Sequence, residues 1–150
     1  MDRFSQILYD LGEVINATLH IDQNGVCQLN YKDELSVQLQ YLEPKELLLI
    51  ATFLHEVPPG KYREKLFNSC LIHNGEYPRI GTLGYSERNN QLTFFEFLPA
   101  TELTGEKLFA FLQTFFENAL SWKEAVETGK PLPTTGKPHQ GESGLFGLKP

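Results

Sequence analysis

The spacing of apolar residues switches repeatedly between a helical and a strand period along this chain, and those switches leave few folds open. From Phe4 through Ile7, Leu8, Leu11, Val14, Ile15 and Leu19 the steps are three and four, which places all of these side chains on one stripe of a helix. Gly12 weakens that helix slightly. After the turn signal Asp22-Gln23-Asn24-Gly25 the period becomes two. Val26 to Tyr31 reads as a strand with Cys27, Leu29 and Tyr31 on one face. Beyond a tight turn at Lys32-Asp33, Leu35, Val37, Leu39 and Tyr41 alternate with Ser36, Gln38 and Gln40, the cleanest strand pattern in the sequence. Leu47 to Leu54 is apolar at both parities and reads as a third antiparallel strand, buried or half-buried on each side.

Pro58-Pro59-Gly60 ends this run of strands. Tyr62, Leu66, Phe67, Cys70 and Leu71 return to helical spacing and predict a short helix from about Lys61 to Leu71, with a loop from His73 to Pro78. Ile80-Gly81-Thr82-Leu83-Gly84-Tyr85 reads as a strand. Arg88-Asn89-Asn90 is a hairpin turn, and Leu92 to Leu98 returns with Phe94, Phe95 and Phe97. Thr104 is the expected N-cap of a last helix, with Glu106 in its first turn, where the helix dipole favours a negative charge. That helix carries Leu108, Phe111, Leu112, Phe115, Ala119, Trp122 and Val126 on one face and Phe109, Phe116 and Leu120 on a second apolar edge, and Gly129 ends it. The expected fold is α+β: a twisted antiparallel sheet packed with helices, in the order α-β-β-β-α-β-β-α over residues 1–128. Residues 129–150, rich in Pro and Gly, read as a disordered tail whose single apolar knot is Leu145-Phe146-Gly147-Leu148.

Charge narrows the partners. The formal net charge is −6, and the tail carries three lysines against one glutamate, so residues 1–128 carry −8. An acidic body repels nucleic acid and anionic lipid at long range and keeps exposed apolar patches in solution. Asp2 and Arg3 lead directly into the amphipathic pattern, which argues against a signal peptide. The longest apolar run, Leu47 to Leu54, falls far short of the roughly 20 residues of a membrane span. Cys27 and Cys70 show neither metal-like nor CxxC spacing and read as free buried thiols of a reducing, cytoplasmic compartment.

The residues offer little for catalysis, and the expectation is a binding protein without enzymatic activity, cofactor or metal. His20, His55, His73 and His139 are scattered. Cys70 and His73 stand three apart, but a core cysteine followed by a loop histidine accounts for them. Gly60-Lys61 lacks the rest of a phosphate loop, and Gly81-Thr82-Leu83-Gly84 sits within a strand rather than before a helix.

The positive signal is surplus apolar surface. The first and last helices can cover one face of the sheet, which leaves Leu66, Phe67, Leu71, Ile80, Leu83 and Tyr85 without an obvious partner in one chain. Each large side chain of this kind is worth roughly 1.5–3 kcal/mol of burial, and a symmetric dimer through these elements would supply it. The residues alone leave open a monomer that closes on itself. They also leave open a small dimeric adaptor or regulatory domain that binds a folded protein partner.

Tyr62-Arg-Glu-Lys-Leu-Phe-Asn-Ser-Cys-Leu71, followed by Ile80-Gly-Thr-Leu-Gly-Tyr85 and Gln91-Leu-Thr-Phe-Phe-Glu-Phe97, resembles the class I type III secretion chaperones, the CesT/Tir-chaperone family. The resemblance covers about residues 2–128. It implies a homodimer joined through the second helix and fourth strand, by Leu66, Phe67, Cys70, Leu71, Ile80, Leu83 and Tyr85, with a heterodimer with a sister chaperone as the variant. It further implies that an extended N-terminal segment of one or more secreted effectors wraps the dimer and pairs with exposed strand edges, and that the secretion ATPase strips the complex. By position, the effector-binding residues it implies are Phe4, Leu8, Leu11, Val26, Gln28, Leu48 and Ile50. Ile72-His-Asn-Gly-Glu-Tyr-Pro78 departs from the family's pattern, as does the tail.

Overall fold

The expected element order is the one the chain adopts. The computed structural model describes residues 2–133; the Leu145–Leu148 knot and the rest of the tail from 134 onward lie outside them. Helix α1 (Arg3–Ile15) leads into β1 (Val26–Tyr31), β2 (Leu35–Leu42), a 3-10 turn (Glu43–Lys45) and β3 (Leu47–Glu56). Helix α2 (Lys61–Asn74), β4 (Thr82–Ser86), β5 (Gln91–Pro99) and α3 (Gly105–Thr128) follow. The strands form one antiparallel sheet in the order β1-β2-β3-β5-β4, so β1 and β4 are its two edges.

Two helix ends differ from expectation, α1 through a local turn and α2 through contacts made farther along the chain. Helix α1 stops at Ile15, before Leu19, because Asn16 turns left-handed at φ 57° and the Ala17 N–H folds back onto the Gly12 carbonyl at 2.9 Å. A Cβ on Gly12 would stand 2.5 Å from the Ala17 oxygen, so the glycine that weakens the helix is also what lets the chain reverse across it. Leu19 still packs against the core, from the loop. Helix α2 runs on to Asn74, so His73 is a helical, buried residue and not a loop histidine.

One face of the sheet carries the core. Val37, Leu39, Leu48, Ile50, Leu92 and Phe94 point beneath α1 and α3 and meet Phe4, Leu8, Leu11, Leu108, Phe115 and Trp122. The rings of Phe94 and Phe115 lie 5.0 Å apart, and Tyr31 stacks on Phe116 at 4.4 Å. Helix α3 approaches α1 closely because Gly105 has no side chain; a Cβ there would stand 2.4 Å from the Asp10 carbonyl oxygen. Helix α2 closes the β4 side of the same layer, and its Tyr62 hydroxyl donates to the Ala125 carbonyl of α3 at 3.0 Å.

Leu66, Cys70 and Leu83 are thereby buried within the single chain, which corrects the expectation that α2 and β4 find nothing to cover them. Phe67 and Ile80 are half-buried, while Leu71 and Tyr85 remain exposed.

Candidate functional site

Among the described residues, no helix lies on the opposite face of the sheet. A strand apolar at both parities must present half of its side chains there, and β3 presents Leu49, Ala51 and Phe53. Strand β5 has Phe94 and Phe95 in succession, so one ring enters the core and the other faces out. The register sets Leu49 beside Phe97 and Ala51 beside Phe95, and these residues with Thr93, Ser36 and Gln38 line a trough of about 300 Å³. Phe53 is 51% exposed and Phe97 is 42% exposed. Among the described residues, no charged side chain lines the trough. An uncharged aromatic trough on a sheet is suited to holding apolar side chains of another polypeptide.

Strand β1 borders this face with an open edge. Val26 exchanges both of its backbone bonds with Asp22, giving its N–H to the carboxylate at 3.0 Å and accepting the Asp22 N–H at 2.8 Å. In an antiparallel ladder, residues alternate between facing the partner strand and facing away. Gln28 and Asn30, both exposed, therefore turn their N–H and C=O groups outward past that cover.

A second apolar surface lies on α2 and the segment after it, where Leu71 (71% exposed), Ile72, Tyr77 and Tyr85 stand clear of the core. Phe67 and Tyr85 meet edge to face at 5.3 Å, with the Arg63 guanidinium about 5 Å from each ring. Arg63 also donates to the Tyr85 hydroxyl and to Asn90, which hold the aromatic pair in place.

Of the residues singled out for effector binding, Phe4, Leu8, Leu11, Leu48 and Ile50 point into the core of this chain. Val26 is half-buried at the start of β1, and Gln28 is exposed on the open face. The trough is built instead from the other parity of the same strand, Leu49, Ala51 and Phe53, and from Phe95 and Phe97. Sequence reasoning missed these five, although the doubly apolar β3 and the Phe94-Phe95 pair were the signals that could have found them. Of the residues singled out for dimerisation, Phe67, Leu71, Ile80 and Tyr85 retain exposure, whereas Leu66, Cys70 and Leu83 do not.

Neither cysteine is placed for nucleophilic work. Burial pushes the Cys70 thiol up to about 12, and desolvation also raises that of Cys27. At neutral pH the Cys70 thiolate is then about one part in 10⁵. Ellman's reagent at pH 8 is expected to leave Cys70 unlabelled in the native protein and to label it fully in denaturant. Rapid native labelling of Cys70 would contradict this.

His73 is buried between the rings of Phe94 and Trp122, with its Nε2–H donating to the Gly81 carbonyl at 3.0 Å and, among the described residues, no hydrogen-bond partner at Nδ1. Desolvation lowers its pKa below the ordinary value, against a smaller upward pull from the Gly81 bond; Arg79 lowers it further and Glu76 raises it. A histidine that folds neutral binds fewer protons folded than unfolded. Its contribution is therefore complete above about pH 6.5 and is lost as pH falls through the lower folded value. Urea midpoints measured from pH 8 to pH 5 are expected to fall more steeply for the native protein than for His73→Gln, and parallel curves would remove His73 as the cause.

Among the described residues no cluster of His, Cys, Asp or Glu is arranged to hold a metal, and no helix is long and apolar enough to cross a membrane.

The profile of the family described as Tir chaperone protein (CesT) matches residues 6–123. Among solved structures, a chain of the HopA1-SchA chaperone-effector complex superposes with a TM-score of 0.70 at 20% identity, over 82% of this chain and 94% of that one. A chain of the heterodimeric ExoU-SpcU complex from the type III secretion system of Pseudomonas aeruginosa gives 0.63 at 14% identity, over 81% and 98%. YbjN from E. coli gives 0.57 at 15% identity, over 84% and 93%. At such identities the superpositions establish a shared fold. No curated protein sequence matches the chain.

Proposed function

The chain belongs to the Tir chaperone protein (CesT) family, and from that premise we propose that it is a cytoplasmic bacterial chaperone that keeps the N-terminal segment of one or more type III secreted effectors extended and ready for delivery. The single observation that carries the mode of binding is the uncovered aromatic trough of Phe53, Phe95 and Phe97 beside the open β1 edge. A client strand added at Gln28 and Asn30 gains main-chain hydrogen bonds whatever its sequence, and the trough selects for apolar side chains. Holding a segment extended costs ordering entropy, which burial of these rings offsets. The body's net charge of −8 over residues 1–128 keeps so apolar a surface dispersed between clients.

A second copy of the chain covers α2 in this reading, through Leu71, Ile72, Tyr77 and Tyr85 with Phe67 and Ile80. That gives a homodimer with two troughs, and a sister subunit in one position gives the heterodimeric form. Residues 1–128 form the chaperone unit and the segment from 129 onward an appendage to it. The chaperone itself hydrolyses nothing; the secretion ATPase releases the client.

Affinity purification from the native bacterium, with limited proteolysis and mass spectrometry of the partners, tests the proposal. A protected fragment from the first ~100 residues of a secreted protein, long enough to wrap a dimer when extended, is the expected result. Recovery of intact folded proteins alone would replace the chaperone reading with that of an adaptor. Light scattering of the purified chain separates the assemblies, since a homodimer weighs twice 17.1 kDa.

A further inference from the structure

The aromatic trough and the end of the described chain lie at the same end of the sheet. Phe53 and Thr93 border the trough where β3 finishes and β5 begins. Helix α2 starts shortly after β3 ends, and its Tyr62 hydroxyl reaches the carbonyls of Ala125 at 3.0 Å and Lys130 at 3.4 Å. The Lys130 N–H returns to the Ala125 carbonyl at 3.1 Å, and Leu132 packs against the core. The chain past α3 is thereby held as far as Leu132, and it leaves the body near the Phe53 end of the trough, from the helix side of the sheet. Residues 134–150 carry three large apolar side chains, Leu145, Phe146 and Leu148, all in one run. From Pro133 to Leu145 an extended chain spans roughly 40 Å, against about 10 Å between packed layers. Charge favours the return, since residues 129–150 carry +2 against −8 on the rest of the chain. The other apolar surfaces suit the run less well. A second copy sits on the α2 patch in the reading above. The groove of Leu98, Leu103 and Phe111 includes Glu102 and Lys107 and lies toward the start of α3, where about 25 Å of helix separates Phe111 from Thr128.

We propose that Leu145-Phe146-Gly147-Leu148 docks in the trough of its own chain, against Phe53, Phe95 and Phe97, and occupies it between clients. The run matches an uncharged aromatic surface, offering a ring and two branched aliphatic side chains with no charge among them. So short a tether gives an effective concentration on the order of 1 mM. A contact of only sub-millimolar strength then fills the trough most of the time. The segment shields the rings from water and from other chains, and a client that also pairs with the β1 edge displaces it. The docking rests on the geometry above, whereas its effect on clients rests also on the trough being the client surface.

The experiment compares the amide NMR spectra of the full-length protein and of Phe146→Asp. Resonances of Ala51, Phe53, Phe95 and Phe97 are expected to shift. The shifts should persist on dilution, and also when both proteins carry Leu71→Asp to separate the copies of a dimer. The reciprocal variant Phe97→Asp is expected to move the resonances of Leu145 to Leu148 toward random-coil positions. No shift on the trough face in Phe146→Asp would overturn the proposal, as would shifts confined to Leu103 and Phe111 or to Leu71 and Tyr85. Shifts lost on dilution or in the Leu71→Asp background would overturn it too, since the segment would then come from another copy. Titrated with the client fragment, Phe146→Asp is expected to bind about threefold more tightly than native. Trough shifts without that gain would keep the docking and remove the trough as the client surface, so the two readings fail separately.

Discussion

Replacing Phe97 with aspartate is expected to weaken binding of a client segment by at least about a hundredfold while the melting temperature stays within a few degrees of native. Phe97 is 42% exposed, and its ring packs only at the rim of the trough, 5.9 Å from Phe95. Little core packing is therefore lost. A client, by contrast, loses roughly 1.5–3 kcal/mol of aromatic burial and must also desolvate a carboxylate. Together these exceed about 2.7 kcal/mol, which is two orders of magnitude in affinity. The client fragment recovered by proteolysis, titrated by calorimetry, provides the measurement. Leu71→Asp is the informative contrast: it lies on α2, away from the trough, and should lower the mass without abolishing client binding. If Phe97→Asp binds as well as native, the trough is not the client surface.

Gly81→Ala is expected to cost about 3 kcal/mol or more of stability, lowering the melting temperature by roughly 10 °C. Two effects coincide at this position. Its φ of +85° lies in the region that side chains rarely adopt, and an added Cβ would stand 2.0 Å from Cζ of Phe94. That ring is fully buried and is packed against Phe115 and His73, so it has nowhere to retreat. The same backbone supports the His73 and Glu96 bonds, which would shift with it. Gly25→Ala separates the contributions, because Gly25 also has positive φ but open space around it, and it should cost much less. A Gly81→Ala protein that melts within about 3 °C of native would mean that the β4 approach can relax.

What a residue's neighbours in sequence decide was legible, and what its neighbours in space decide was not. The switch from helical to alternating spacing fixed the element order, and Thr104 and Gly129 marked the ends of α3 because capping is a matter of a few adjacent residues. Local patterns misjudged the end of α2, since nothing within the segment announces that His73 will be wanted by Gly81 or Asn74 by Leu83, eight and nine residues on. They also could not choose a face for β3. Leu48, Leu49, Ile50 and Ala51 are all apolar, so alternation alone does not say which parity meets the helices.

Residue spacing and charge alone make this an acidic α+β domain with more apolar side chains than one sheet face can hide, and they carry enough of a family's pattern for it to be recognised. That Leu48 and Ile50 are core while Leu49, Phe53, Phe95 and Phe97 form the open face is settled by the packing of the folded chain. The same packing leaves β1 as the open edge of the sheet. Burial and edge pairing are collective. A side chain is inside only once α1 and α3 have settled on one face, and an edge is closed only once the end of α2 has folded back against it.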